Sequence, residues 1–300
     1  MLKIFAKGGD WIIDKIGLVI NTDKNGVVNV GKKALNLFKK KNISHYIEQD
    51  SAQKLNLNKK NYKIADYNRL RKEVDAVILF GGDGTFLHTA HHFIGTDIPL
   101  LGVNLGSLGF MTEIEVKQFE SALDRIISGD YYIEKRMMLE SKVKRKDREV
   151  FHSISLNDIV INRDANSKLI DFNLYINNEI VNSYNGDGLI ISTPTGSTAY
   201  SLSAGGPIIN PTTEAILITP ICPHSLHVRP MVIGPWEKVK VVVSANKSQM
   251  KVTSDGHYDY GLKDEDELLI EKSNKTISMI KFPEKSFYST LRKKMRVGLS

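Results

Sequence analysis

The amino-acid sequence predicts an α/β domain followed by a β-rich domain, and three observations carry that prediction. Over residues 1–135, strand-length apolar runs alternate with segments of helical period, the pattern of a mostly parallel sheet. The buried runs of this half end in glycine: Gly81-Gly82 after the first, then Gly102, Gly106 and Gly109 after the second. Beyond about residue 140 the segments become short and strand-like, separated by Asn-Asn, Asn-Gly, Asp-Gly and Pro turns.

Taken in order, residues 16–21 form an apolar run of strand length. Residues 32–41 read as a helix, with Ala34, Leu35, Leu37 and Phe38 apolar and lysines in the last turn, where the helix dipole favours cations. A second strand is expected at 44–48, and the polar, aperiodic stretch 50–61 reads as a loop. Residues 76–80 are a continuous apolar strand, 86–93 a helix and 98–103 another buried strand. Residues 116–128 place Phe119, Leu123, Ile126 and Ile127 on one helical face, and Gly129 caps that helix. The β-rich half is expected to hold strands at 153–162, 172–176, 189–192, 239–244, 250–253, 268–271 and 276–280. The basic, aromatic stretch from Phe282 is read as returning to the first domain.

Composition narrows the function classes. With 41% hydrophobic and 25% charged residues, the chain of 300 residues has the balance of a soluble globular protein, not of a disordered or fibrous one. No apolar run approaches the ~18 residues of a membrane span. Lys7 and Asp10 precede any sustained apolar stretch, which argues against a signal peptide, and the single Cys222 excludes a disulfide framework or a Cys-rich zinc site. A cytoplasmic location follows as the expectation. Lys and Arg outnumber Asp and Glu by 41 to 34, for a net charge of +7, which favours anionic partners. The basic runs at 39–41, 142–146 and 292–294 are scattered and read as helix ends, a hairpin turn or a tail, so no nucleic-acid surface is expected.

The sharpest chemistry is Gly81-Gly82-Asp83-Gly84-Thr85, between a buried strand and a helix. Its glycines permit a sharp turn and close backbone approach to a ligand, and amides at the start of the next helix can face a phosphate. A carboxylate there would repel an anion. It suits a group that accepts a hydroxyl proton or binds a cation travelling with phosphates; the alternative is a tight turn with Asp83 as helix N-cap. Upstream, residues 26–33 (GVVNVGKK) fall one residue short of a P-loop and place Lys33 where Ser or Thr must hold magnesium, so they read as a turn and helix start. His88, His91 and His92 recur at helical spacing, but Thr89 stands where a zinc-protease helix needs Glu, and no metal-ligand set emerges. His91 and His92 read as a wet face; His88, about one turn past Gly84, is placed to face a phosphate.

In the second half, Asn185-Gly186-Asp187-Gly188, a strand, and the hydroxyl-rich run 193–206 (TPTGSTAYSLSAGG) form a second dense constellation. Its hydroxyls suit hydrogen bonding to sugar and amide groups, and Tyr200 offers a stacking face. Asn157-Asp158 adds an amide and a carboxylate within a strand-like stretch.

Together these motifs resemble the bacterial NAD kinases. The resemblance rests on residues 81–85 (GGDGT), 105–110 (LGSLGF), Asn157-Asp158, 187–206 and 219–230 (TPICPHSLHVRP), which follow the family's order over most of the chain. GGDGT alone is shared with lipid kinases and, more loosely, phosphofructokinases; the other blocks are more selective. The resemblance implies a Rossmann-like nucleotide-binding domain over 1–138, rejoined by the tail 282–300. It also implies a β-sandwich-like NAD-binding domain over 139–281, with an active site between the two. It further implies phosphoryl transfer from ATP, with polyphosphate as the alternative donor, to NAD in the presence of Mg²⁺ or another divalent cation. A homodimer or homotetramer without a membrane partner is implied as well. By position, Asp83 would be the base for the adenosine-ribose 2′-hydroxyl, and Gly82 and Gly84 would leave room for phosphates, with His88 nearby. Asn157 and Asp158 would hold the nicotinamide-side ribose or an adenine edge. Asp187, Thr195, Thr198, Ala199, Tyr200, Ser201, Leu202 and Ser203 would line the dinucleotide pocket, and Phe110 would pack beside a base. Asn185 stands where relatives often carry Arg or Lys, which removes a phosphate contact, and His257 matches a position that touches ligand in some members. Two rivals share part of this pattern. A lipid kinase would want an apolar pocket where residues 185–206 are polar, and a non-catalytic dinucleotide sensor would need no Asp83.

Overall fold

The computed structural model describes residues 5–7, 13–21, 27–106, 109–164, 169–225, 227–244 and 249–295. Asp10, Gly26, Ser107, Leu108 and Leu226, all within motifs or runs named above, lie outside them. The chain divides into two units, Met1–Lys135 with Ile277–Ser300, and Arg136–Thr276.

The first unit is built on a parallel sheet whose strands run in the spatial order Ile64–Ala65, Ser44–Glu48, Lys15–Ile20, Ala76–Gly81, Leu100–Asn104. Met279, in the last strand Glu267–Lys281, pairs in parallel with Leu100. The order runs outward one way from Lys15–Ile20 and the other way from Ala76–Gly81. The carboxyl ends of these two strands therefore form a topological switch point, where open α/β sheets take ligands. All six residues of Ala76–Gly81 are buried, as a central parallel strand requires. Ala76, Ile78 and Phe80 join Leu18, Leu35, Phe38, Leu101, Phe119 and Leu123 in the main core.

The second unit consists of two antiparallel sheets. One runs Met231–Ile233, Ile216–Ile221, Gly188–Ser192, Asp158–Arg163, Met250–Ser254, Tyr258–Leu262. The other sets Glu179–Gly186 beside Ile170–Ile176, Val239–Ser244 and the first half of Glu267–Lys281. Ile159, Ile161, Leu189 and Ile191 of the first sheet share one core with Phe172, Leu174, Val241 and Leu268 of the second. This is a β-sandwich, its inner faces formed by alternate residues of each strand.

Several elements differ from their sequence reading, each for a local reason. The expected loop 50–61 begins with the helix Gln49–Lys54, because the Glu48 carboxylate accepts from the N–H groups of Asp50 and Ser51 at 2.7 and 2.8 Å. A further helix, Tyr67–Glu73, is capped by Asp66, which accepts from the Arg69 N–H at 2.8 Å. The first long helix spans Val27–Lys40 and so absorbs most of the P-loop-like segment. Its Gly31 is a packing glycine, since a Cβ there would lie 2.7 Å from Ile20 Cδ1. Residues 153–162 divide into the strands Arg148–Ser155 and Asp158–Arg163, whereas 268–271 and 276–280 merge into Glu267–Lys281. The helix Phe119–Ser128 ends as expected on Gly129 at φ 75°, but Ile127 is 55% exposed and the buried face is Phe119, Ala122, Leu123 and Ile126. Tyr132–Arg145, Glu179–Gly186 and Tyr258–Leu262 are strands beyond those expected from the apolar pattern, and the strand-sized apolar run 215–218 becomes the strand Ile216–Ile221.

Candidate active site

At the switch point the helix starts earlier than its apolar pattern suggests, at Asp83 instead of residue 86, and runs to His92. Gly82 is the N-cap, without a side-chain cap, and Asp83 is the first helical residue. The Asp83 carboxylate therefore does not cap its own helix. It accepts from the N–H groups of Phe110 and Met111, at 2.8 and 3.0 Å. That closure depends on Gly109, where a Cβ would lie 2.0 Å from Asp83 Oδ1. The other glycines divide into two kinds. A Cβ on Gly81 would strike Thr85, 2.3 Å from its Oγ1, while Thr85 Oγ1 also accepts from the Asn21 side-chain amide at 2.8 Å. Among the described residues nothing lies within 4 Å of a Cβ built on Gly82 or Gly84, and neither takes a left-handed φ. Packing and backbone conformation leave these two positions free of any demand for glycine; what glycine supplies there is access. Each oxygen of Asp83 keeps lone-pair capacity beyond its one backbone donor, so the group can accept a hydrogen bond from a ligand hydroxyl.

The segment after Gly109 is held by the C-terminal return. Lys285 Nζ donates to the carbonyls of Thr112 and Glu113, at 2.6 and 2.9 Å. The buried Glu113 carboxylate pairs with Lys281 and accepts from the Phe282 N–H at 3.0 Å. Burial lowers the Lys285 ammonium to about 8, opposed by the charges of Glu113 and Asp83 and assisted by Lys281 and Lys293. Phe110 packs on this return, 6.0 Å from the ring of Phe287 and with Lys294 Nζ 4.8 Å above its own ring.

In the second unit a cavity of about 360 Å³ gathers Asn157, Asp158, Ala199 and Tyr200 of the expected residues. The register explains the set. Along Asp158–Arg163, Ile159 and Ile161 point into the core while Asp158, Val160 and Asn162 line the cavity; Thr253 and Lys251, opposite Val160 and Asn162, complete the wall. Asp255, at φ 50° before Gly256 at φ 70°, accepts from three successive N–H groups, those of Leu156, Asn157 and Asp158, at 2.7, 2.7 and 3.0 Å. Asp158 is thus buried beside a second carboxylate; burial first, and then the Asp255 charge, push its carboxyl up to about 7. Asn157 Oδ1 is buried without a hydrogen-bond partner among the described residues.

Of the hydroxyl-rich run, several members serve the frame. Thr193 Oγ1 donates to the Leu156 carbonyl at 2.6 Å and accepts from the Gly196 N–H, Ser197 Oγ donates to Pro194 O, and the buried Ser201 bonds Thr219 at 2.9 Å. Thr195 is buried under Arg136, whose Nη1 donates to it at 3.3 Å. Thr198, Ala199 and Leu202 are partly open, and Tyr200 and Ser203 are exposed. Asp187 pairs with Arg163 at 2.6 Å, and the exposed Asn185 donates to Asp171 at 2.7 Å. His88 is exposed, its ring edge-on to those of Tyr67 and His92 at 6.4 and 5.1 Å; His92 is not wet but stacks on Tyr67 at 3.8 Å, and burial lowers its pKa. His257 is exposed in the turn after Gly256. Asn162, Lys251, Thr253 and the clasping role of Asp255 escaped sequence reasoning. The signal for them was strand alternation beside Asp158, which needs the pairing partner to be known. Among the described residues, no group of three or more His, Cys, Asp or Glu gathers as a metal cage.

Comparisons with known proteins agree with this architecture. The ATP-NAD kinase N-terminal domain matches residues 16–131, and the ATP-NAD kinase C-terminal domain matches 156–282. The NAD kinase of a Thermoanaerobacter species is 39% identical over 281 residues, covering 94% of this chain and 98% of that protein. The NAD kinase of Caldanaerobacter subterraneus subsp. tengcongensis is 40% identical with the same coverage. Among solved structures, yeast NADH kinase complexed with NADH superposes with a TM-score of 0.86 at 24% identity, covering 96% of this chain and 89% of that one. An Archaeoglobus fulgidus NAD kinase in complex with ATP gives 0.72 at 24% identity, over 94% of this chain and 98% of that one. These two show a shared fold, whereas the extent and identity of the sequence relatives decide kinship: the chain belongs to the NAD kinase family of enzymes.

Proposed function

We propose that this chain transfers the γ-phosphoryl group of ATP to the 2′-hydroxyl of the adenosine ribose of NAD, forming NADP and ADP. The observation that carries the reading is the Asp83 carboxylate, held at the sheet's switch point by the N–H groups of Phe110 and Met111 and flanked by the open positions Gly82 and Gly84. Asp83 accepts the proton of the ribose hydroxyl as its oxygen attacks the γ-phosphorus; the bond to the ADP oxygen breaks in line. A positioned carboxylate contributes roughly 10²–10⁴-fold to such a step, and the remainder is positioning and charge neutralisation. The phosphates lie against Gly82, Gly84 and the first turn of the helix Asp83–His92, whose leading N–H groups lack intrahelical acceptors. Magnesium arrives with ATP as part of that substrate.

The second unit's role in this reading is to hold the dinucleotide. Asn157, whose buried amide oxygen awaits a partner, Asp158 and the exposed face of Tyr200 supply an acceptor, a carboxyl group and a stacking surface in one cavity. The NAD and NADH kinases of the same fold solved with NADH and with ATP are in keeping with these ligand classes. The enzyme is expected to act in the cytoplasm as a homodimer or homotetramer, with polyphosphate as the alternative donor. The test is incubation of purified protein with Mg-ATP and NAD, following NADP through an NADP-specific dehydrogenase. NADP formation in proportion to enzyme is expected, and its absence at micromolar enzyme removes the proposal.

A further inference from the structure

Residues 109–113 are tied at both ends. At one end the N–H groups of Phe110 and Met111 donate to Asp83; at the other the carbonyls of Thr112 and Glu113 accept from Lys285, while the Glu113 N–H donates to Gly102 O at 2.8 Å. The Glu113 side chain, paired with Lys281 and bonded to the Phe282 N–H, fixes the C-terminal return that carries Lys285. Little slack separates the two ends. The Asp83 carboxylate lies so close over Gly109 that a Cβ there would meet its Oδ1 at 2.0 Å and Thr112 Oγ1 at 2.9 Å, and that buried hydroxyl has no hydrogen-bond partner among the described residues. A displacement of Thr112-Glu113 is therefore passed through two peptide units to the donors that aim Asp83.

We propose that Lys285 is a positioning residue for Asp83: its ammonium, by gripping the Thr112 and Glu113 carbonyls, sets the place of the N–H groups that hold the carboxylate. Two of its three protons are committed to backbone oxygens of the segment. The inference rests on the proposed role of Asp83, and the test reads the tie and the turnover separately.

The experiment compares the full-length protein with Lys285→Met and Lys285→Arg by hydrogen exchange over residues 109–113 and by steady-state kinetics with Mg-ATP and NAD. Lys285→Met keeps the aliphatic stem and is expected to accelerate exchange at Phe110 and Met111. It should lower kcat by roughly 10–100-fold, the scale of an ångström-sized misplacement, with KM for NAD within about twofold, since no dinucleotide contact is assigned to it. Lys285→Arg, which offers a planar fork to two carbonyls, should return most of both losses. Unchanged exchange, or faster exchange with kcat unaltered, overturns the proposal. So does a joint rise of KM with the fall of kcat that arginine fails to reverse. Lys285→Gln, which keeps a shorter donor, moves in the same direction by less and decides the matter if the methionine variant does not fold. If wild-type protein forms no NADP, the proposed function fails, and exchange alone then upholds or removes the tie.

Discussion

The two units use one device to different ends. In each, a carboxylate next to glycine collects the N–H groups of a neighbouring motif: Asp83 those of Phe110 and Met111, Asp255 those of Leu156, Asn157 and Asp158. Asp83 is only half-buried, takes two donors and stands between glycines with open space beside them. Asp255 is buried, takes three donors in a left-handed turn and adds its charge to the burial that pushes up the pKa of the neighbouring Asp158 carboxyl. The difference teaches that hydrogen bonds alone do not mark a chemical group. What marks it is the unspent valence and the empty volume left around it. Asp83 has both, whereas Asp255 is spent on shape.

The largest effect tests that contrast directly. Asp83→Asn should lower kcat by roughly 10²–10⁴-fold while NAD, titrated calorimetrically, still binds within a few-fold of wild type; a fully active variant would remove the base assignment. Asp255→Asn should invert the pattern. It deprives buried N–H groups of a charged acceptor at a cost of about 3 kcal/mol, seen as a lowered Tm together with weaker NAD binding, and turnover of the enzyme still able to bind NAD should be largely kept. If Asp255→Asn instead halts turnover at saturating NAD without weakening binding, the two carboxylates have been assigned the wrong way round.

The glycines sharpen the comparison at an intermediate scale. Gly84→Ala should raise Tm slightly, because alanine in a helix is favoured by about 1 kcal/mol, yet raise the KM for ATP by roughly tenfold, which converts to about 1.4 kcal/mol of lost binding. Gly196→Ala should do the reverse, since its Cβ would sit 2.1 Å from the Asn157 carbonyl oxygen: folding suffers before any kinetic constant does. The smallest effect concerns Asp158. Its folded-state pKa, raised to about 7, means that the native protein holds a proton the unfolded chain releases near pH 4. The stability that goes with the neutral carboxyl is therefore complete below about pH 4 and declines as pH climbs through 7. Asp158→Asn should match wild type in Tm at pH 4 and exceed it by a few degrees at pH 8; parallel curves across that range would show that the carboxyl is not strained.

Much of the frame was legible in the sequence because its signals are local. The run 76–80 can only be a buried strand, and Gly129 fixes a helix end; the structure gives Ala76–Gly81 and a left-handed Gly129. Legibility failed where side chains act on distant or mixed backbone. The helices Gln49–Lys54 and Tyr67–Glu73 are held by caps from Glu48 and Asp66 within polar sequence that has no apolar period. The long strand Glu267–Lys281 carries polar residues at Lys272, Asn274 and Lys275, so one element looked like two. In the site, Asp83 and the Asn157-Asp158 pair stood out by residue type. Their holders did not: the donors on Asp83 are backbone amides 27 and 28 residues away, and Asp255 lies 97 residues from Asp158. In the hydroxyl-rich run residue type points to ligand contacts, yet Thr193, Ser197 and Ser201 spend their hydroxyls on the protein itself.

The strand Glu267–Lys281 has a consequence for how the molecule is made. Met279 pairs with Leu100 in a sheet whose five parallel strands from Lys15–Ile20 to Leu100–Asn104 are translated before residue 105, and the whole second unit is synthesised in between. The emerging N-terminal half thus waits, with the flank of Leu100 unpaired, until residues 277–281 have been translated. Chaperone demand during translation should fall on that half, and cleavage before residue 277 should unravel the first unit before the second.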